Sequence, residues 1–263
     1  MPLNSSIRKM NRPQLILIGS AILLFFALYF GCDTQTKEQK AIDQSRELTK
    51  EVLDIKSHAG TTLSSLDAAQ KSTIESLTLK AESKDVAVLK QLSSAWHNAQ
   101  HDEIAAWYAE QIADIEKTDE AWGIAGANYY LAIGQNTDKQ MRDFCTQRAV
   151  NAFQNAASLN PTKLDYKINL ALCYTENPPQ DEPMKGILLL RDLDKENPDN
   201  AAINIQLARL AIKTGQFDKA IARLEKVLAS EPNNKKAVCF LAEAYKNTQN
   251  PKAAELAQKC DSL

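Results

Sequence analysis

His97 and His101 stand four residues apart, with Asp102 and Glu103 directly behind them. On a helix such a spacing puts two imidazoles on one face, where a carboxylate could join them around a metal ion. A zinc-type site also needs a third and usually a fourth donor at about 2.0–2.2 Å, and position in the chain supplies none. The same residues read as a polar turn between two helices, and that is the reading adopted: no metal is expected. His58 is the third histidine. The carboxylates Asp181, Glu182, Asp192, Asp194, Glu196 and Asp199 read as solvated helix surface. There is no nucleophile motif, no phosphate-cradling glycine loop and no H-E-x-x-H arrangement, so neither an enzyme nor a cofactor is expected.

The cysteines are Cys32, Cys145, Cys173, Cys239 and Cys260. None has the close C-x-x-C spacing of a thiol redox or zinc site, and the odd count leaves at least one unpaired within a monomer. Cys145 and Cys173 could meet across neighbouring hairpins, which an exported compartment would permit. The plainer reading makes the cysteines small hydrophobes packed between helices.

The elements that position these residues come next. A hydrophobic share of 44% beside 24% charged residues belongs to a folded chain. The net charge of only -2 argues against a nucleic-acid partner, since no basic excess is present to meet a phosphate backbone. Leu15 to Phe30 is an uncharged apolar run, about 24 Å long as a helix. With its flanks it predicts a transmembrane anchor over 15–31, and Arg8, Lys9 and Arg12 put residues 1–14 in the cytoplasm. The expectation is a single-pass protein whose C-terminal domain is exported, in a bacterial cell envelope to the periplasm. Cleavage after the run and lipid attachment at Cys32 are weaker alternatives, because Tyr29 and Phe30 are large.

Residues 32–84 are expected to form a helical stalk. Leu48, Val52, Ile55, Ala59, Leu66 and Ala69, with Thr62, follow a heptad-like stripe that could pair two copies as a coiled coil. A second register through Leu63, Ile74 and Leu77 supports a helix folding back on the main domain, and the two readings stand level. Residues 85–118 read as a hairpin, with Val86, Val88, Leu89 and Leu92 on one helix and Ile104, Ala105, Tyr108, Ile112 and Ala113 on the other.

From 119 to 263 the chain repeats. Pro161, Pro198 and Pro232 close helical segments at steps of 37 and 34 residues, and Leu170, Leu207 and Leu241 advance by the same steps. Small residues at matched places, Ala208 and Ala220 for example, suit paired helices that approach closely and stack on the next pair. On Trp122, Ala125, Gly126 and Tyr129, then Ala149, Phe153, Ala156 and Pro161, and on Leu207, Ala208, Gly215, Phe217, Ala220 and Pro232, the chain resembles the tetratricopeptide repeat family. About three complete repeats and a truncated fourth are visible, with extra residues near Ile133–Phe144 and Pro178–Pro183. Residues 85–118 look like a degenerate further hairpin. The fold expected is therefore all-α: a tetratricopeptide-type solenoid of helical hairpins, preceded by a transmembrane helix and a stalk.

The resemblance implies a superhelix whose inner groove, lined by the first helix of each hairpin, takes an extended peptide or a partner's helix. The groove positions it implies include Asn169, Leu172, Ile205, Gln206, Arg209, Ile212, Lys213, Lys236, Phe240, Glu243 and Lys246. Leu172 stands where a second asparagine would be needed for a carboxylate clamp, so no clamp is expected. What remains is apolar anchoring by Ile205, Ile212 and Phe240 with steering by Arg209, Lys236 and Lys246. The function expected is a membrane-anchored adaptor or assembly scaffold for an envelope complex. The alternative is a mainly structural, self-associating envelope protein whose repeats pack against its own stalk. Expected partners are a protein or peptide in the groove, the membrane through the N-terminal helix, and a second copy through the stalk.

Overall fold

The computed structural model describes residues 54–263, which contain twelve α-helices and no strand. In chain order they are α1 (Ile55–Leu63), α2 (Ala68–Ala81), α3 (Val86–Asn98), α4 (Asp102–Glu116), α5 (Asp119–Gln135) and α6 (Lys139–Leu159). Then follow α7 (Leu164–Glu176), α8 (Lys185–Glu196), α9 (Ala201–Lys213), α10 (Phe217–Ser230), α11 (Lys235–Asn247) and α12 (Ala253–Ser262). From α3 onward they pair as antiparallel hairpins, and each packs on its neighbours in sequence. The first helices of successive hairpins also touch, α5 on α7, α7 on α9 and α9 on α11, which makes them one continuous row.

Polar residues set the helix starts. Asp67, Asp85, Thr118, Asp138, Asn200 and Asn234 each accept a backbone N–H of the first turn. The turns inside three hairpins share one geometry. Gln100, Gly215 and Gln249 have positive φ, and the following residue bonds back to the carbonyl of Trp96, Ala211 and Tyr245. Such a left-handed residue closes the exposed carbonyls of a helix end and reverses the chain. The hairpin α3–α4 thus turns as the later ones do.

Small residues decide how closely the helices approach. A Cβ on Gly186 would lie 2.5 Å from the Ala171 carbonyl oxygen, so α8 can press on the backbone of α7 only with glycine there. Ala208 and Ala220 are fully buried across the next hairpin, and Ala149 is buried where α6 meets the core. Trp96, Tyr129 and Phe153 fill the larger spaces at the N-terminal end. Two buried tyrosines repeat one device: the Tyr129 hydroxyl donates to Glu110 at 2.6 Å and the Tyr245 hydroxyl donates to Glu225 at 2.6 Å. Each bond joins a first helix to the second helix of the hairpin before it. The extra residues near Ile133–Phe144 do not form a loop; they lengthen α5 and α6, and Ile133, Met141 and Phe144 are buried.

Three expectations need correction. The stalk is not one long helix over its described part: α1 and α2 are separate, with Asp67 capping α2 after Ser64 and Ser65 bond back to the end of α1. In α1 the heptad-stripe residues Ile55, Ala59 and Thr62 are buried, whereas in α2 Ile74 is buried and Ala69 exposed, so the stripe faces the protein in α1 and the second register takes over in α2. α1 packs on α4 and α2 on α3, where a coiled-coil seam would need that surface for a second copy. The single-pass membrane reading is also corrected, and with it the exported topology and the membrane as partner. Among the described residues no helix is long and apolar enough to cross a membrane. Residues 15–31, Cys32, Leu48 and Val52, on which those readings rested, lie outside the described residues. Finally, Cys239 and Cys260 are not separate packing groups but form a disulfide, whereas Cys145 and Cys173 are free and buried, as the plainer reading has them.

Candidate protein-binding face

Gly126, Ala171, Ala208 and Ala242 occupy equivalent places in α5, α7, α9 and α11, at steps of 45, 37 and 34 residues. Counting from them aligns the four helices in rows. Three residues earlier stand Gly123, Ile168, Ile205 and Cys239. In α5, α7 and α9 this row is the seam between first helices: a Cβ on Gly123 would meet the Tyr166 ring, and Ile168 and Ile205 are buried, whereas Cys239 is bonded to Cys260 of α12. Ile205 is therefore a packing residue, not an exposed anchor. Leu172 is buried as well, in a cluster with Ile168, Leu190, Ile203 and Leu207.

The other expected groove residues remain at least partly open. Asn169, Gln206, Arg209, Ile212 and Phe240 are half-buried, while Lys213, Lys236, Glu243 and Lys246 are exposed. Arg209 donates to the Glu176 carboxylate at 3.0 Å, and Arg142 caps the end of α7 through the Glu176 carbonyl at 2.9 Å. Arg209 is thus committed to an internal ion pair. Its Nε and the Gln206 Oε1 are buried without a hydrogen-bond partner, one donor and one acceptor on adjacent turns of α9. Lys213, Lys236 and Lys246 make no ion pair through their ammonium groups among the described residues.

The apolar part of this face lies where the sequence reading did not place it. Ile124 and Leu131 are 59% and 46% exposed, with the exposed Ala127 between them. They align with Asn169 and Glu176 of α7, and with Gln206 and Lys213 of α9. Spacing of three and four puts all three on one stripe of α5. Gly126 already stands as a first-helix position in the sequence, and the 45-residue step from it to Ala171 gives both residues, but the expected groove positions are those of the later hairpins alone.

The histidines do not form a metal site. His97 Nδ1 pairs with Asp102 at 2.5 Å, while His58 Nε2 and His101 Nδ1 both meet Glu103 Oε1, at 3.2 and 3.1 Å. The four residues of the sequence motif are thereby split between two carboxylates. No group of three or more His, Cys, Asp or Glu able to hold a metal occurs among the described residues. Instead, His58 fastens α1 to the buried start of α4. Burial pushes the Cys173 thiol up to about 12 and the Cys145 thiol higher still, so both stay protonated as packing groups.

A family model for the tetratricopeptide repeat matches residues 185–227 and 215–257. No curated protein matches the chain. Among solved structures, the chain is similar to TTC0263, a thermophilic TPR protein of Thermus thermophilus. The identity is 18%, 78% of this chain and 99% of that one are covered, and the TM-score is 0.50. It is also similar to PilW, a type IV pilus biogenesis factor, at 20% identity, with 67% and 76% covered and a TM-score of 0.44. MamA from Desulfovibrio magneticus RS-1 matches at 19% identity, with 68% and 94% covered and a TM-score of 0.42. At these identities the likeness is one of fold. The family model identifies residues 185–257 as tetratricopeptide repeats, and the shared turn geometry and the row of stacked first helices carry the same hairpin fold through the described residues before them.

Proposed function

We propose that the chain is a protein-binding scaffold, not an enzyme, and that it takes its partner on the row formed by α5, α7, α9 and α11. The observation that carries this reading is the change of character along one face. Ile124 and Leu131 are exposed at one end, and Lys213, Lys236 and Lys246 stand without an ion-pair partner among the described residues at the other. Exposed apolar side chains beside free cations suit a segment with apolar anchors followed by acidic residues. Asn169 and Gln206 lie between and Phe240 stands beside Lys236 on α11, all half-buried residues for it to contact. The face is proposed without Ile205 and Leu172 as contacts, because the helix seam takes both.

A second reading, mainly structural, is favoured by the packing of α1 on α4 and of α2 on α3. In that reading the N-terminal segment stabilises its own repeats and a second copy is the partner. The two readings part in a capture experiment with the full-length chain carrying Leu131→Glu and Lys246→Glu. The scaffold reading expects partner recovery to fall at least tenfold while helical circular dichroism is unchanged. Unchanged recovery of a different protein would place the binding surface elsewhere, and recovery of the chain alone would favour the structural reading.

A further inference from the structure

The last helix is held unlike any other. α12 contributes no buried residue, and the helix it packs on is α11. Its apolar contribution to the core is Ala253 and Leu256, both only partly buried against the cluster of α9, α10 and α11. Lys259 donates to the Pro232 carbonyl at 2.8 Å, an exposed contact. A helix of ten residues is not stable in water without such support. The remaining tie is covalent: Cys239 on α11 and Cys260 near the end of α12 are joined, their Cα atoms 5.0 Å apart and 21 residues apart in sequence. Both cysteines are half-buried, so a small reductant can reach them.

From this we infer that the Cys239–Cys260 disulfide is a redox latch on the C-terminal helix: its reduction releases α12 from α11. The reductant is a dithiol. It supplies two electrons and two protons, the Sγ–Sγ bond breaks, two thiols form, and the dithiol closes to its own cyclic disulfide. The latch sits beside the proposed binding face, because Cys239 lies between Lys236 and Phe240 on α11. Release of α12 removes the support behind that helix and loosens the basic end of the face. This consequence for binding rests on the scaffold reading; the release of α12 does not.

The test is amide hydrogen exchange on the full-length chain before and after treatment with dithiothreitol, with complete reduction confirmed by a gain of two free thiols. Exchange over 253–262 is expected to accelerate at least tenfold, while α9 and α10 change little. A chain with Cys239→Ser and Cys260→Ser should match the reduced protein in either redox condition. Unchanged exchange in α12 after complete reduction would overturn the inference. So would equal acceleration across α9 to α12, since the bond would then hold the whole end and not the helix. If the double variant does not fold, the reduction series on the natural chain decides alone. Failure of partner capture with an intact latch response would count against the scaffold reading only.

Discussion

The two ends of this solenoid reach stability by different means. At the N-terminal end, α1 to α6 share one large cluster with Trp96, Tyr129, Phe144 and Phe153 at its centre. At the C-terminal end, α9 to α12 share a smaller one built on Ala208, Ala220, Leu224, Ala237 and Ala244, and a disulfide finishes it. Hairpins that touch only their neighbours stabilise one another locally, so a terminal hairpin lacks the support that a central one receives. The N-terminal end answers this by folding α1 and α2 onto the first hairpin. The C-terminal end answers it with a covalent bond.

The largest effects should come from the centre of each cluster. Phe153 and Leu224 occupy equivalent places in α6 and α10, and both are fully buried. Phe153→Ala is expected to cost about 3–5 kcal/mol and Leu224→Ala about 2–5 kcal/mol, read from urea unfolding. The Phe153 change should lower the whole transition, whereas the Leu224 change should produce an early, partial one. A single cooperative loss of equal size in both would erase the proposed difference between the ends. Next, Gly186→Ala forces a Cβ to 2.5 Å from a backbone oxygen between α7 and α8. Thermal unfolding should show a loss of about 1–3 kcal/mol, because backbone, unlike a flexible side chain, cannot step aside cheaply.

The tyrosine device sharpens the comparison further. Burial pushes the Tyr129 hydroxyl well above the ordinary tyrosine range, with Glu110 adding to the shift, and the bond to Glu225 pushes Tyr245 up to about 12. A group whose folded pKa exceeds its unfolded one stabilises fully below the unfolded value, about 10 for tyrosine, and loses that contribution as pH rises through the folded value. Stability should therefore hold to about pH 10 and fall above it. Tyr245→Phe should flatten the part of that fall between pH 10 and about 12, and Tyr129→Phe the part at still higher pH. Each substitution is expected to cost about 1.5–3 kcal/mol at neutral pH, as for a hydrogen bond to a charged group. A fall that begins below pH 9 in the natural chain would point to groups other than these two tyrosines. The smallest effect belongs to Lys246→Glu, which should stay within about 0.5 kcal/mol of the natural stability, since its ammonium group meets no acid among the described residues.

The hairpins were legible in the sequence because their cause is short-range. Prolines ending second helices, and small residues such as Ala208 and Ala220 where helices meet, recur at fixed steps that a single chain displays. What escaped depended on how one hairpin lies on the next. Ile205 and Leu172 looked like groove residues from their repeat positions, but contact between neighbouring first helices buries them. Ile124 and Leu131 escaped because the expected groove positions come only from the hairpins after Pro161, although Gly126 already marks their helix as the first of a repeat. The Cys239–Cys260 bond joins residues on two antiparallel helices, and spacing along a chain does not show which faces those helices turn to each other. His97 and His101 show the converse: a spacing that suits a metal is used to fasten the start of α4, with His58 reaching in from α1.

The central claim is that a partner lies along the row from α5 to α11, and site-specific photocrosslinking of the full-length chain tests it most directly. A photoreactive residue is placed at Leu131, at Lys246 and, on the opposite helix layer, at the exposed Leu188. The account predicts crosslinks to one and the same partner polypeptide from 131 and 246, and none from 188. Crosslinks from 188 alone, or different partners at the two ends of the row, would contradict it.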